Sequence, residues 1–290
     1  MPEFLHEVFL HGLLDTLPIR PFLFLTYLLM EFIEHKASDK TTAFLKRSGP
    51  FGPLIGGTLG IVPQCGFSSV ASNLYCGGII TPGTLIAIFL SCSDEMLPIL
   101  ISSSIGARTV LGILIFKLVS AVIVGFAVDI VLRFVLKRER RIDIDELCES
   151  DNCHCERGIL FSALHHTVSI TVFILIITFA INALIFFIGE ENLALVMYDK
   201  PVISHLLAAL FGLIPNCAAS VALTTFYTDG LITMGTMLAG LFSGSGIGLL
   251  VLVRVNKNLK ENLALILLLV LFGFSLGLLA DVTGIAALIA

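Results

Sequence analysis

Two stretches of the sequence match each other and decide the fold. Residues 59–91 read LGIVPQCGFSSVASNLYCGGIITPGTLIAIFLS, and residues 211–243 read FGLIPNCAASVALTTFYTDGLITMGTMLAGLFS. Twelve of the 33 positions are identical without a gap, so the stretches are two copies of one unit, 152 positions apart (211 − 59). Each copy is apolar and is interrupted by a proline with polar neighbours, Pro63 or Pro215. Matching broken segments in two apolar halves indicate the binding site of a transporter built from repeats.

The composition places the chain in a lipid bilayer. Hydrophobic residues make up 57% of the 290 residues, charged residues only 13%, and the mean hydropathy is +1.00. A soluble domain carries about 25% charged residues. The apolar runs have the length of spanning helices rather than of barrel strands. We therefore expect a helical membrane protein with lipid as a partner, no nucleic-acid partner, and reduced thiols for its seven cysteines.

Four apolar blocks recur in each half. The first half has blocks at about 9–33, 51–77, 82–105 and 109–136, and the second at about 159–188, 202–229, 234–253 and 262–289. The second block cannot be one ordinary helix, because Pro63 removes a backbone donor and clashes with the preceding turn. We interpret it as two half-helices, 51–62 and 66–77. Twelve helical residues rise about 18 Å, which does not cross a hydrocarbon core of about 30 Å. A re-entrant hairpin is therefore favoured over two spans.

The basic residues give the orientation. Three basic clusters occur at 36–47, 137–157 and 254–260, and the positive-inside rule assigns all three to the cytoplasm. With the second block re-entrant, each half crosses three times, and every cluster falls inside. Because three is odd, the second half is inverted, and both termini lie outside the cell.

The predicted fold is an all-α polytopic membrane protein with two inverted-topology repeats. Each repeat has three spanning helices and a broken re-entrant hairpin, which gives ten helical segments if half-helices are counted. The first repeat is assigned to residues 1–141, a cytoplasmic acidic and cysteine-containing linker to 142–157, and the second repeat to 158–290.

Asp94 and Glu95 lie halfway along the third block. An ionised carboxylate at the bilayer centre costs about 3 kcal/mol on insertion scales, so it needs a cation or a water-filled cavity. We expect both residues to contribute to a metal site. The structural alternative is a hidden salt bridge from Asp94 to Lys117. The inverted partner positions are glycine and isoleucine, so the site would be asymmetric. Lys117 and Asp129 in the fourth block are interpreted as a paired or snorkelling charge set.

The hairpin tips bring matching donors. Each tip carries an amide, then a thiol, and a hydroxyl three residues after the thiol. The residues are Gln64, Cys65 and Ser68 in the first half and Asn216, Cys217 and Ser220 in the second. Soft and hard donors together suit a transition metal. In the alternative interpretation the cysteines only shape the tips as small buried residues.

Further donors lie on the first helix of each half. Asp15 aligns with His166, and Glu31 aligns with Asn182, both at an offset of 151. Carboxylate and imidazole bind divalent metals, so Asp15, Glu31 and His166 are candidate gate or ligand residues. An interfacial role at the span ends is the alternative. The linker cysteines Cys148, Cys153 and Cys155 lack the usual structural-zinc spacing, which favours a solvated linker over a metal site.

The motifs resemble those of a family of ten-span heavy-metal exporters of bacteria, whose members are labelled arsenic efflux proteins or manganese transporters. The segments that carry the resemblance are Gly60–Ser68, Ile80–Ala87, Ser93–Glu95, His165–Thr167 and Gly212–Cys217. The resemblance covers nearly the whole chain, and its ten spans fit the count above when each half-helix is scored as one. It implies metal efflux.

The sequence favours a secondary transporter that exports a divalent transition metal, Mn²⁺ in first place, from a prokaryotic cytoplasm across the inner membrane. Exchange for protons through Asp94 or His166 would fit. Arsenite or organoarsenical efflux is the alternative, and it would need converging thiols such as Cys65, Cys92 and Cys217. An intramembrane metal-dependent hydrolase is less favoured. We expect no enzyme activity and no cofactor, with the metal ion as substrate. The sequence does not decide between a monomer and a homo-oligomer.

Overall fold

A computed structural model describes residues 51–61, 65–92, 96–103, 105–134, 201–215 and 217–285, with scattered positions in 21–28 and 160–179. Within these ranges the chain is helical and contains no strand. In the first half the helices are α1 (Gly52–Gly60), α2 (Cys65–Cys76), α3 (Pro82–Ser91), α4 (Met96–Ser102) and α5 (Ala107–Phe134). In the second half they are α6 (Pro201–Gly212), α7 (Cys217–Thr228), α8 (Met234–Ser243), α9 (Gly248–Val255) and α10 (Leu259–Val282).

The helix boundaries follow the sequence repeat. Helices α2, α3, α4 and α5 begin 152 residues before α7, α8, α9 and α10, respectively. The repeat therefore extends well beyond the 33 aligned positions, to the start of α10. The two short helices predicted on either side of Pro63 are present as α1 and α2.

Each half contains a tightly packed group of three helices. In the first half, α3 packs against α1 and α5, and in the second half α8 packs against α6 and α10. Glycines permit the close approach: a Cβ on Gly83 would lie 2.1 Å from the carbonyl oxygen of Gly125, and one on Gly235 would lie 2.5 Å from that of Gly277. Small residues at helix contacts are typical of membrane bundles, where close packing replaces hydrophobic exclusion from water.

The two halves interlock through their shorter helices. Helix α2 of the first half packs against α9 of the second, and α7 of the second packs against α4 of the first. The Ser72 hydroxyl donates to the carbonyl oxygen of Gly248 over 2.6 Å, across the two halves. The halves therefore share one interior.

The third block is interrupted in both halves, although each interrupted stretch remains long and apolar enough to cross a membrane. Helix α3 ends at Ser91, and Cys92 turns out of the helix with a ψ of 131°. Helix α8 ends at Ser243, and Gly246 adopts a left-handed φ of 52° before α9 begins. The polar stretch 91–95 follows α3, and the serine- and glycine-rich stretch 243–246 follows the body of α8. Gly244 and Gly246 favour leaving the helix because glycine has high conformational freedom.

Four helical stretches among the described residues have the length and composition to cross a membrane. They are Pro82–Ser102, Ala107–Arg133, Met234–Val255 and Leu259–Val282. Helix α5 has 28 residues and rises about 42 Å, more than the hydrocarbon core requires. Large apolar side chains such as Leu111, Ile115, Leu267 and Leu271 are exposed on the two longest helices, where they would face lipid.

Candidate ion site at the helix breaks

The two hairpin tips lie between helix ends. In the first half α1 ends at Gly60 and α2 begins at Cys65; in the second half α6 ends at Gly212 and α7 begins at Cys217. The predicted thiol donors are thus the first residues of their helices. Helix ends carry backbone groups without helical partners, and such groups can bind a substrate where the backbone lines a cavity.

Ser68 connects the first tip to the second half. Its side chain is fully buried, and a Cβ added at Gly248 would lie 2.7 Å from the Ser68 Cβ. Gly248 is the first residue of α9, directly after the second break. The start of α2 therefore lies beside the break between α8 and α9.

Helix α2 carries a polar face into the interior. Ser68, Ser69, Ser72 and Asn73 are all buried. In the second half the matching helix α7 keeps part of this pattern, since Thr224 donates to the Ser220 carbonyl oxygen as Ser72 donates to that of Ser68. Ser220 itself is half-buried. The interior beside α2 is therefore lined by hydroxyl and amide groups.

A fully buried amine lies between the two breaks. The Lys117 side chain is 0% exposed, and its Nζ donates to the carbonyl oxygen of Cys92 over 2.6 Å and to that of Leu241 over 3.1 Å. Nζ also lies 5.5 Å from the centroid of the Phe242 ring, within cation–π range. Cys92 caps the end of α3, and Leu241 belongs to the last turn of α8. The amine therefore joins two negative helix ends, one from each half.

Lys117 and Asp129 do not pair with each other, so their interpretation as a charge pair is wrong. They lie 12 residues apart on α5, which separates them by about 18 Å along the helix axis. Asp129 instead accepts hydrogen bonds from the Thr81 hydroxyl (2.6 Å) and the Gly83 amide (2.9 Å). The carboxylate thus fixes the start of α3.

Asp281 repeats this arrangement in the second half. It accepts hydrogen bonds from the Thr233 hydroxyl (2.5 Å) and the Gly235 amide (2.8 Å) at the start of α8. A buried imidazole adds to it, because the His205 Nε2 lies 3.1 Å from the same carboxylate. The repeat offset relates Asp281 to Asp129, but no signal in the sequence points to His205, whose counterpart in the first half is Pro53.

Most of the predicted ligands lie outside the described residues. These are Asp15, Glu31, Gln64, Asp94, Glu95, His166, Asn216 and the cysteine-containing linker. The structure places Ser68 beside the second break. The carbonyl oxygen of Cys92, two residues before Asp94, accepts a hydrogen bond from the buried amine. Among the described residues no cluster of three or more His, Cys, Asp or Glu side chains is present. The candidate site is therefore defined by its helix ends, hydroxyls and amine.

The fold and this site define a class: multi-pass helical membrane proteins whose two related halves meet at broken helices. The chain belongs to the family described as "Putative, 10TM heavy-metal exporter", whose profile matches residues 5–153, slightly more than half of the chain. The family suggested by the sequence motifs is thereby confirmed, from a match that covers the motifs of the first half. No curated protein and no solved structure matches the chain.

Proposed function

We propose that the chain is a secondary active transporter that exports a divalent transition-metal ion, Mn²⁺ in first place, by alternating access. The observation that carries this proposal is the meeting of helix breaks from both halves inside an apolar bundle, beside the buried hydroxyl face of α2. Broken helices at the centre of a membrane protein bind polar substrates with their exposed backbone groups. Membership in a family of heavy-metal exporters supports transport over catalysis.

Contacts at one end of the bundle support an inverted arrangement of the halves. The Tyr75 hydroxyl, near the end of α2, donates to the Glu261 carboxylate in the first turn of α10. The turn that follows α2 contains Thr81, which binds Asp129 near the end of α5. Helix α5 therefore ends at the same end of the bundle at which its counterpart α10 begins. Two matching helices that run in opposite directions are what an inverted repeat requires.

Contacts along α1 support the re-entrant hairpin. A Cβ on Gly52 would lie 2.2 Å from the Thr84 hydroxyl at the start of α3, and one on Gly60 would lie 2.1 Å from the Ser91 hydroxyl at its end. Helices α1 and α3 therefore run in the same direction, and the chain must return through α2 to begin α3. Nine residues of α1 rise about 14 Å, less than half of the hydrocarbon thickness.

The donor set favours a divalent metal. Carboxylates from Asp94 and Glu95 and amide oxygens from Gln64 and Asn216 are hard ligands that suit Mn²⁺, while the two tip cysteines extend the range to softer ions. Ser68 and Ser220 would add hydroxyls near the tips. Asp15, Glu31 and His166 are proposed as gate or additional ligands. Uptake of a proton by Asp94 or His166 as the metal leaves would couple export to the proton gradient.

The basic clusters support an orientation and a location. We place the loops that contain them in the cytoplasm, both termini outside, and the protein in the inner membrane of a prokaryote. A homo-oligomer is compatible with the exposed apolar surface of α5 and α10.

The experiment that tests the function measures cellular metal content by elemental mass spectrometry. Cells expressing the chain are compared with cells expressing Asp94→Asn, and Asp229→Asn serves as a control because its exposed carboxylate lies in the turn after α7. We expect selective depletion of Mn that is lost in Asp94→Asn and kept in Asp229→Asn. A fall in arsenic alone would favour the thiol-based alternative. No change in any metal would overturn the proposal.

A further inference from the structure

The buried amine of Lys117 occupies a position that a free cation would otherwise suit. The last carbonyls of a helix have no helical partners, and the end of a helix carries a partial negative charge. Two such ends, at Cys92 and Leu241, present oxygens to Nζ, and the Phe242 ring presents its negative face. Oxygens and a ring face around one point form a site for a small monovalent cation.

The second half shows what the amine replaces. The counterpart of Lys117 at the repeat offset is Leu269 on α10, which is also fully buried. One half therefore places a charged side chain where the other places an apolar one. Because an unpaired buried charge is strongly unfavourable, the amine is kept only where its surroundings compensate for it.

We propose that Lys117 is a tethered cation that fills an oxygen-lined monovalent-cation site between the two helix breaks. It is a positioning residue: through the Cys92 carbonyl it fixes the break that leads into Ser93-Asp94-Glu95, and through the Leu241 carbonyl it ties that break to the second half. Since the chain supplies this cation itself, the packing of the halves does not depend on bound Na⁺ or K⁺. This role of Lys117 does not depend on which ion the protein transports.

A variant without the amine should accept a free cation in its place. In Lys117→Ala the two carbonyl oxygens remain, while the ammonium and its alkyl chain are removed. Ethylammonium restores both the charge and part of the volume, and Na⁺ restores the charge alone. Leu269→Ala is the matched control, because it opens a cavity at the counterpart position without removing a charge.

The measurement is the thermal unfolding midpoint of the full chain purified in detergent, in choline, sodium or ethylammonium chloride at equal ionic strength. We expect the wild-type midpoint to be the same in all three salts. Lys117→Ala should lose about 6 °C or more in choline, since two charge-assisted hydrogen bonds are lost. It should regain several degrees in ethylammonium and less in sodium. Leu269→Ala should be destabilised equally in every salt. A folded Lys117→Ala variant that shows no cation response would overturn the proposal.

Two further variants keep the test decisive if Lys117→Ala is not recovered in folded form. Lys117→Arg keeps the positive charge, and Lys117→Met keeps the length of the side chain without it. The proposal expects Arg to retain a higher midpoint than Met, because the two carbonyls still bind a cation. A midpoint for Met equal to or above that of Arg would refute it. Neither result depends on metal export, so failure here is separate from failure of the transport function.

Discussion

At the scale of single residues, Asp281 has one more partner than its counterpart Asp129. Both carboxylates bind a threonine hydroxyl and a glycine amide, but Asp281 also binds the buried His205. Removing Asp281 therefore leaves a buried imidazole without this partner as well. We expect Asp281→Ala to lower the thermal midpoint about 3 °C further than Asp129→Ala does. Circular dichroism of the purified proteins measures this difference.

A double variant separates the contribution of the imidazole. If His205 stabilises the protein through Asp281, then His205→Ala combined with Asp281→Ala should cost less than the sum of the two single changes. Strict additivity would show that the two side chains act independently. Asp229→Ala serves as the control for loss of an exposed carboxylate and should leave the midpoint nearly unchanged.

The residue-level chemistry was only partly accessible from the sequence. The repeat identifies Pro63, Cys65 and Ser68 as special positions, since composition and spacing recur. The described hydrogen bonds of Lys117 go to two backbone carbonyls, at Cys92 and Leu241. Backbone carbonyls have no signature in a sequence, so these two contacts could not be predicted.

At the scale of helices, the contact of α2 with α9 depends on the absence of a side chain at Gly248. A Cβ there would lie 2.7 Å from both the Cβ and the carbonyl oxygen of Ser68, and backbone atoms cannot easily move away. Gly248→Ala should therefore separate the two helices and cost about 1–3 kcal/mol. The thermal midpoint measures the stability loss, and cellular metal content measures the effect on export.

The control for this change is Gly106→Ala. Gly106 lies in the exposed loop before α5, and the nearest atom to an added Cβ there is the Thr109 hydroxyl at 3.9 Å. We expect that variant to match the wild type within about 1 °C, because nothing obstructs the new methyl group. Equal midpoints for Gly248→Ala and Gly106→Ala would contradict the close α2–α9 contact.

The helices show which breaks a sequence can reveal. The two short helices α1 and α2 were predictable because proline disrupts a helix in any surroundings. The breaks after α3 and α8 were not predicted, although polar residues lie at both, because polar residues inside an apolar block also mark a functional site on an unbroken helix. Two glycines mark the second break, but glycine is also common at close helix contacts, as at Gly83 and Gly235. The same residue type therefore signals two different structures.

At the scale of the whole molecule, the repeat was evident from sequence, and the helix boundaries of α2 to α5 and α7 to α10 follow it. The relative direction of the two halves was inferred from the number of membrane crossings in each half. That number changes if the second block crosses the membrane fully instead of being re-entrant. Arg108 and Lys260 test that count directly. They occupy matching positions in the first turns of α5 and α10, and both are exposed.

Inverted halves place these two residues on opposite sides of the membrane, whereas parallel halves place them on the same side. In a variant lacking the native cysteines, we expect Arg108→Cys to react with a membrane-impermeant maleimide on intact cells. Lys260→Cys should react only after the membrane is opened, because the positive-inside rule assigns the basic loop before α10 to the cytoplasm. Thiol labelling followed by mass spectrometry reads both outcomes. Labelling of both positions from one side would mean an even number of crossings in each half, so the tips would enter from the same face. In that case a site alternately open to the two sides could not be built from these two hairpins.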